Sequence, residues 1–200
     1  WRLRVSQDGA FDWPGNLIVL GSFTGFAFSL HALTNGIATT ILLSILGFAY
    51  VMATRLKPWP ALPWAMAAAI ILVFARIAWE PTLVGPNRLG TTPFWNALLP
   101  GYGIPALLSI LAAYEMRNWQ DHRARNFLQA LASLMAMMAV SVLVRHAING
   151  GVLDDRVPTL GEQSIYTLLT IGFSAVRMTL DGRAPSPVFR YGSMIAGVLA

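Results

Sequence analysis

Long apolar segments alternate with short polar connections along this chain of 200 residues. A helix needs roughly 20 mostly apolar residues to cross a hydrocarbon layer about 30 Å thick. Because helices satisfy their own backbone hydrogen bonds in lipid, the pattern predicts an all-α, polytopic transmembrane bundle with six to seven spans. The predicted spans cover residues 16–34, 37–54, 64–79, 104–116, 127–148, 162–179 and, as a truncated seventh, 188–200.

Turn residues mark the ends of several spans. An Asn-Gly pair at 35–36 predicts a tight turn, so the first two spans should pack as a hairpin. A Glu-Pro pair at 80–81 ends the third span, because a residue before proline is pushed out of helical geometry. The run Asn-Gly-Gly at 149–151 ends the fifth. Together the spans predict a single membrane domain over residues 1–200.

The segment at 93–105 does not fit a straight helix, because two prolines and two glycines crowd its second half. We expect a broken or re-entrant entry into the fourth span. Irregular backbone at membrane depth must be covered by protein or water, so the side chain of Tyr102 should face protein.

Composition supports the membrane assignment and argues against other classes. Hydrophobic residues make up 56% of the chain and charged residues 12%. The basic residues behind the +5 net charge lie in short loops beside apolar spans, so no nucleic-acid partner is expected. The chain has no cysteine and its three histidines are scattered, so neither a metal site nor a cofactor is predicted. His31 is more typical of a hydrogen-bonded interior residue than of a ligand.

Basic residues are distributed unequally between the two sides of the predicted bundle. We define side one as the side that carries the N-terminal segment. The side-two loops hold only Arg88 and Arg156. By the positive-inside rule, side one is cytoplasmic and side two is external. A re-entrant segment at 93–105 would invert everything after it. The side-one loops hold Arg2, Arg4, Arg55, Lys57, Arg117, Arg123, Arg125, Arg183 and Arg190.

A set of polar residues converges on the predicted side two. Charge at membrane depth costs a few kcal/mol or more, so each charged member needs a partner or water. Spans five and six are antiparallel neighbours, so Arg145 or His146 should contact Glu162, or else Glu80. The set comprises Arg76, Glu80, Asn96, Tyr102, Arg145, His146 and Glu162.

Two interpretations of this set remain open. In one, His146 and Glu162 are the candidate catalytic acid and base. The candidate substrate-binding residues are then Arg76, Arg145, Asn96 and Tyr102, and the two arginines bind anionic groups. In the other, the arginines reach lipid headgroups and Glu162 complements the helix dipole.

The sixth span carries a polar face along its length. Its residues are spaced by 4, 3, 4 and 3 positions, which places them on one side of a helix. Helix packing through hydroxyl groups explains such a face, and so does the wall of a hydrophilic path. The residues are Gln163, Thr167, Thr170, Ser174 and Arg177.

The ends of the sequence suggest a longer protein. It starts with Trp1 rather than Met and ends at Ala200 inside an apolar segment. We therefore expect a piece of a longer polytopic chain. The expected partners are the lipid bilayer, other membrane proteins and the rest of that chain.

Two motifs resemble a known family. One is TTPFWNALLPGYGIPALLSILAAY at 91–114, and the other is VRHAINGGVL at 144–153 followed by LGEQ at 160–163. Over about residues 64–180 the chain resembles the large bacterial "predicted membrane protein" family, a domain of unknown function, from which Pro100 is a departure. The resemblance implies the bacterial inner membrane and a many-helix envelope protein, and it supplies no active site.

Three function classes follow. The first is an envelope enzyme or assembly factor that handles a lipid-linked or glycan substrate at the external face. The second is a transporter or permeation pathway that uses the broken helix and the polar face of span six. The third is a membrane scaffold for partner proteins. The first is preferred, because the ionisable groups gather at one side and only span six offers a path across.

Overall fold

The computed structural model describes residues 13–85, 88–93, 95–153 and 157–200. Within these ranges the chain is all-helical, without strands. The side-one arginines at 2 and 4 and the side-two loop at 154–156 lie outside the described residues. The α-helices are α1 (Trp13–Leu33), α2 (Gly36–Ala53), α3 (Ala61–Trp79), α4 (Ile104–Glu115), α5 (His122–Ile148), α6 (Leu160–Arg183) and α7 (Pro187–Leu199).

Four of the described helices, α1, α2, α3 and α5, are long and apolar enough to cross a membrane. The predicted number of six to seven spans is therefore not confirmed. α4 has 12 residues and α7 has 13, and a rise of 1.5 Å per residue makes each only about 18–20 Å long. α6 is long enough at 24 residues, but its Gln, Thr, Ser and charged residues make it less apolar.

The predicted irregular segment takes the form of a π-helical turn, Leu99–Gly103, that continues directly into α4. The backbone at Leu98 and Ile104, on either side of the turn, keeps right-handed helical torsion angles. Both prolines lie within the first two positions of the turn or of α4, where a missing amide N–H costs little. The helix is therefore widened here rather than broken, and Tyr102 is buried, as predicted.

The π turn and α4 run from one end of the bundle to the other. At side two, a Cβ atom on Gly101 would lie 2.6 Å from Leu83 Cδ1 and 3.5 Å from Ile37, at the start of α2. At side one, just beyond the end of α2, Arg55 Nε donates to Glu115 Oε1 at 2.7 Å. α4 is thus parallel to α2, and this direction favours a crossing segment over a re-entrant one.

The core lies between α1, α2, α3, α4 and α5. α2 and α3 approach most closely at Gly47, where a Cβ atom would lie 2.7 Å from both Ala69 Cβ and Met66 Sδ. Met66 and Ala69 are fully buried. The small residues of the second span therefore serve helix packing, as lipid-embedded interfaces require close backbone approach.

Polar side chains join the α6–α7 hairpin to α5 near both ends of α5. At side one, the buried Ser186 hydroxyl donates to Gln129 Oε1 at 2.6 Å. The backbone N–H of Ser186 also donates to Asp181 Oδ1 at 2.9 Å, and this bond holds the pKa of that carboxyl below its usual range. Charge-assisted bonds of this kind fix the corner between the two helices.

Part of the polar face of α6 packs against α7. Ser174 Oγ donates to the Ser193 carbonyl at 2.8 Å, and Arg177 Nη1 donates to the Gly192 carbonyl at 2.9 Å. Thr170 Oγ1 donates to the Tyr166 carbonyl of its own helix at 2.7 Å. These bonds support the packing interpretation for this half of the face.

Candidate functional site

The predicted polar residues lie at side two, but they occupy two separate places. Asn96, Arg145, His146 and Glu162 gather where α5 ends and α6 begins. Arg76 instead lines a cleft between α1 and α3. Tyr102, also in the predicted set, is fully buried, and its hydroxyl donates to the Pro81 carbonyl at 2.5 Å.

The predicted contact between Arg145 and Glu162 is present. Arg145 Nη1 donates to Glu162 Oε1 at 3.0 Å, and the carboxylate is only 2% exposed. The Tyr166 hydroxyl donates to the same oxygen at 2.9 Å. Glu162 opens α6, where its backbone N–H is capped by Thr159 Oγ1 at 3.2 Å. Tyr166 was not predicted, although its position four residues after Glu162 places both on one helical face.

His146 is fully buried with both ring nitrogens hydrogen-bonded. Asn96 Nδ2 lies 3.1 Å from His146 Nδ1, and His146 Nε2 lies 3.0 Å from the Gly90 carbonyl. The Asn96 amide has one orientation, because its Oδ1 accepts from the backbone N–H of Leu98 at 2.9 Å. Asn96 Nδ2 also donates to the backbone carbonyls of residues 92 and 93, at 3.1 Å each. The imidazole is thus held by polar groups on both sides.

This histidine fastens the side-two loop, residues 88–93 and 95–97, to the end of α5. Gly151, which follows α5, has a φ of +93°, and a Cβ atom there would lie 2.8 Å from Thr91 Cα. The Gly151 N–H donates to the His146 carbonyl at 2.9 Å. No hydrogen bond joins His146 to Glu162 in the described part of the chain, so the two candidate catalytic groups act in neighbouring but separate networks.

Arg76 has a different environment. Its Nη2 donates to the Gly36 carbonyl at 3.3 Å, and its Nη1 lies 3.5 Å from His31 Nδ1. Its Nε is buried without a hydrogen-bond partner. Glu80, four residues later, contacts Thr82 instead. Among the described residues no carboxylate lies within 4.0 Å of the Arg76 guanidinium, so none of them forms an ion pair with it.

The cleft beside Arg76 has a volume of about 630 Å³ and is lined mainly by apolar side chains of α1, α2 and α3. Phe23 and Leu43 form part of its buried wall, and Phe28 and Trp79 at its edge are exposed. His31, Arg76 and Glu80 are the ionisable residues of the lining. An apolar cleft with a few convergent polar groups is the usual form of a small-molecule site.

A second cavity, of about 470 Å³, adjoins the first. Glu80 and Leu83 line both cavities, and Arg88 adds a basic side chain to the second. Gly36, whose carbonyl accepts the bond from Arg76, also lines the second cavity. Arg76 therefore lines the first cavity and is hydrogen-bonded to a residue that lines the second.

The described residues contain no group of three or more His, Asp or Glu side chains placed to hold a metal ion. Comparison with curated proteins and with solved structures gives no match. A family model described as "Predicted membrane protein (DUF2339)" matches residues 1–200, which extends well beyond the two motifs near the centre of the chain. The chain, with its apolar helices and side-two polar networks, belongs to this family of predicted membrane proteins.

Proposed function

We propose that this protein is an inner-membrane envelope-assembly factor that binds an amphiphilic, anionic substrate, such as a lipid-linked one, in the cleft between α1 and α3. Side two is the external face in this proposal, and the N-terminal segment is cytoplasmic, as the distribution of basic residues indicates.

The observation that carries the proposal is the state of Arg76. A guanidinium at the end of an apolar helix is costly unless an anion or water neutralises it. No described carboxylate does so. A phosphate or carboxylate at the mouth of the cleft would pair with Arg76, and the ligand's hydrocarbon chain would lie along Phe23 and Leu43.

Binding and handling of the substrate are favoured over acid–base chemistry at the predicted catalytic pair. His146 uses both ring nitrogens to hold the loop, and Glu162 is bound by Arg145 and Tyr166. A catalytic base needs a free acceptor within hydrogen-bond reach of its substrate. We therefore assign these two residues to the support of the side-two end. Arg145, Asn96 and Tyr102, which were predicted to bind substrate, belong to the same support.

The less apolar or shorter helices are also assigned to the membrane in this proposal. α6 and α7 expose apolar side chains, among them Leu168, Met178 and Val198, which suits contact with lipid or with further membrane segments. We propose that α4, α6 and α7 are embedded with the four apolar helices. The expected partners are lipid, other membrane proteins and any further segments of the protein's own chain.

A binding measurement tests the proposal. The full-length protein in phosphatidylcholine nanodiscs is titrated with a prenyl phosphate, and complexes are counted by native mass spectrometry. Arg76→Gln should weaken binding about tenfold or more, since it removes a charge-assisted bond. The matched control is Arg183→Gln at the exposed side-one end of α6, which should bind as wild type does. Equal weakening in both variants, or none in either, would contradict the proposal.

A further inference from the structure

We infer that the ligand of the Arg76 cleft is a lipid-linked glycosyl phosphate, whose sugar occupies the second cavity beside Glu80 and Arg88. This inference rests on the proposed function and specifies its substrate class. It follows from the way in which the two cavities are joined and from the different chemistry of their linings.

The first cavity suits a hydrocarbon chain that ends in one anionic group. Its wall is apolar along α1 and α3, and its positive charge is concentrated at Arg76, with His31 3.5 Å away. A phosphate there would supply the counter-charge that no described carboxylate gives the guanidinium. Arginine matches phosphate oxygens with several donors at once.

The second cavity suits a hydroxylated group. Glu80 supplies a carboxylate that accepts hydrogen bonds, and Arg88 supplies a guanidinium that donates them. Both side chains are exposed, and no ion pair joins them within the described residues. Sugar hydroxyls donate and accept, so a hexose uses both.

The order of the groups along the ligand follows from Arg76. This residue reaches from the apolar cleft to the Gly36 carbonyl, which is part of the second cavity's wall. A phosphate held there has the ligand's hydrocarbon chain in the first cavity and its other substituent in the second. The sequence of chemical groups is therefore chain, phosphate and sugar. A plain phospholipid would fill the cleft without using Arg88.

Three probes with matched charge test the inference. They are a prenyl phosphate methyl diester, the same prenyl phosphate joined to one hexose, and a hexose phosphate methyl diester without a chain. Each is a diester with one negative charge, because a phosphate monoester would carry about 1.5 to 2 charges and bind arginine differently. Binding to the full-length protein in nanodiscs is measured for wild type, Glu80→Gln and Arg88→Gln.

We expect the hexose-bearing prenyl probe to bind wild type about tenfold more tightly than the methyl diester, as two added polar contacts warrant. That ratio should fall to about one in both variants. In Arg88→Gln the affinity for the methyl diester should stay unchanged, because Arg88 lines only the second cavity. Thermal unfolding should stay unchanged in both variants, because both side chains are exposed. The hexose phosphate without a chain should bind far more weakly than either lipid, since it lacks the apolar contacts.

A ratio of about one in wild type, or a ratio that survives in both variants, would overturn the inference. If the methyl diester still bound in an Arg76-dependent way, the proposed function would stand and only the sugar assignment would fail. If neither prenyl probe depended on Arg76, both would fail. Equal binding of the chain-free probe would show a soluble phosphosugar as the ligand and would overturn the lipid-linked class.

Discussion

Some polar side chains in this protein stabilise the fold, and others line a cleft that is open to a ligand. Their hydrogen-bond partners show to which group each side chain belongs. His146 is buried with both ring nitrogens hydrogen-bonded, and Glu162 is buried with its Oε1 bound by Arg145 and Tyr166. Arg76 is partly exposed, faces a cleft and has a nitrogen without a partner. The sequence predicted that all three residues lie at side two. Only the contacts in the structure show that Arg76 has surroundings different from those of His146 and Glu162.

Replacement of His146 tests its structural role. His146→Leu leaves the Gly90 carbonyl without its partner. It also removes one of the three acceptors that lie 3.1 Å from Asn96 Nδ2. Because one unsatisfied buried group costs about 1–3 kcal/mol, we expect the free energy of unfolding in detergent to fall by about 1–3 kcal/mol. His122→Leu, at an exposed position, is the control. His146→Gln, which keeps a donor and an acceptor, should recover part of the loss.

The opposite outcome would restore the catalytic interpretation. If His146→Leu unfolded as wild type does, while ligand turnover by the full-length protein disappeared, His146 would be a chemical group rather than a fastening. The hydrogen bonds to Asn96 and Gly90 would then have no stabilising effect of their own.

At the scale of the helices, the hydrophobic pattern and the turn residues predicted most of the fold. The Asn-Gly turn at 35–36 does separate α1 from α2, and α5 does end before the glycines at 150–151. The π turn was predicted only as an irregularity, because prolines and glycines show where a regular helix is disfavoured and not which alternative is adopted. Asn96 Oδ1 accepts a hydrogen bond from the backbone N–H of Leu98, just before the π turn. This contact depends on the conformation of the preceding loop, which the hydrophobic pattern does not predict.

Substitution at Gly47 tests the close approach of α2 and α3. A side chain there would collide with Ala69 and Met66, and overpacking of this kind typically costs about 1–3 kcal/mol. Gly47→Leu should lower the thermal unfolding temperature in detergent. Gly21→Leu is the control, since a Cβ atom on Gly21 would meet no side chain or neighbouring helix within 4 Å. Equal stability of the two variants would place the helix interface elsewhere.

At the scale of the whole molecule, the sidedness of the chain decides where the cleft opens. The π turn and α4 run parallel to α2, and this is the direction that the predicted sidedness assigns to the segment. The orientation itself was predicted from loop charge alone, since a bundle of helices has the same internal contacts whichever way it is inserted.

Cysteine labelling in cells tests that orientation, and the 200 residues contain no cysteine of their own. An impermeant thiol reagent should label Val157→Cys, which is 84% exposed at side two. It should not label Gln120→Cys in the side-one connection before α5, unless the membrane is first permeabilised. The reverse pattern would place the Arg76 cleft on the cytoplasmic side.

The central claim is that an anionic amphiphile occupies the cleft between α1 and α3. Photocrosslinking with a prenyl phosphate that carries a diazirine on its chain tests it most directly. Peptide mapping of the full-length protein should find the label on α1 around Phe23 and Ala27 and on α3 around Leu72 and Ala75, which line the cleft. Arg76→Gln should remove most of that label. Label spread over the exposed faces of α6 and α7, at the same level in the variant, would contradict the account.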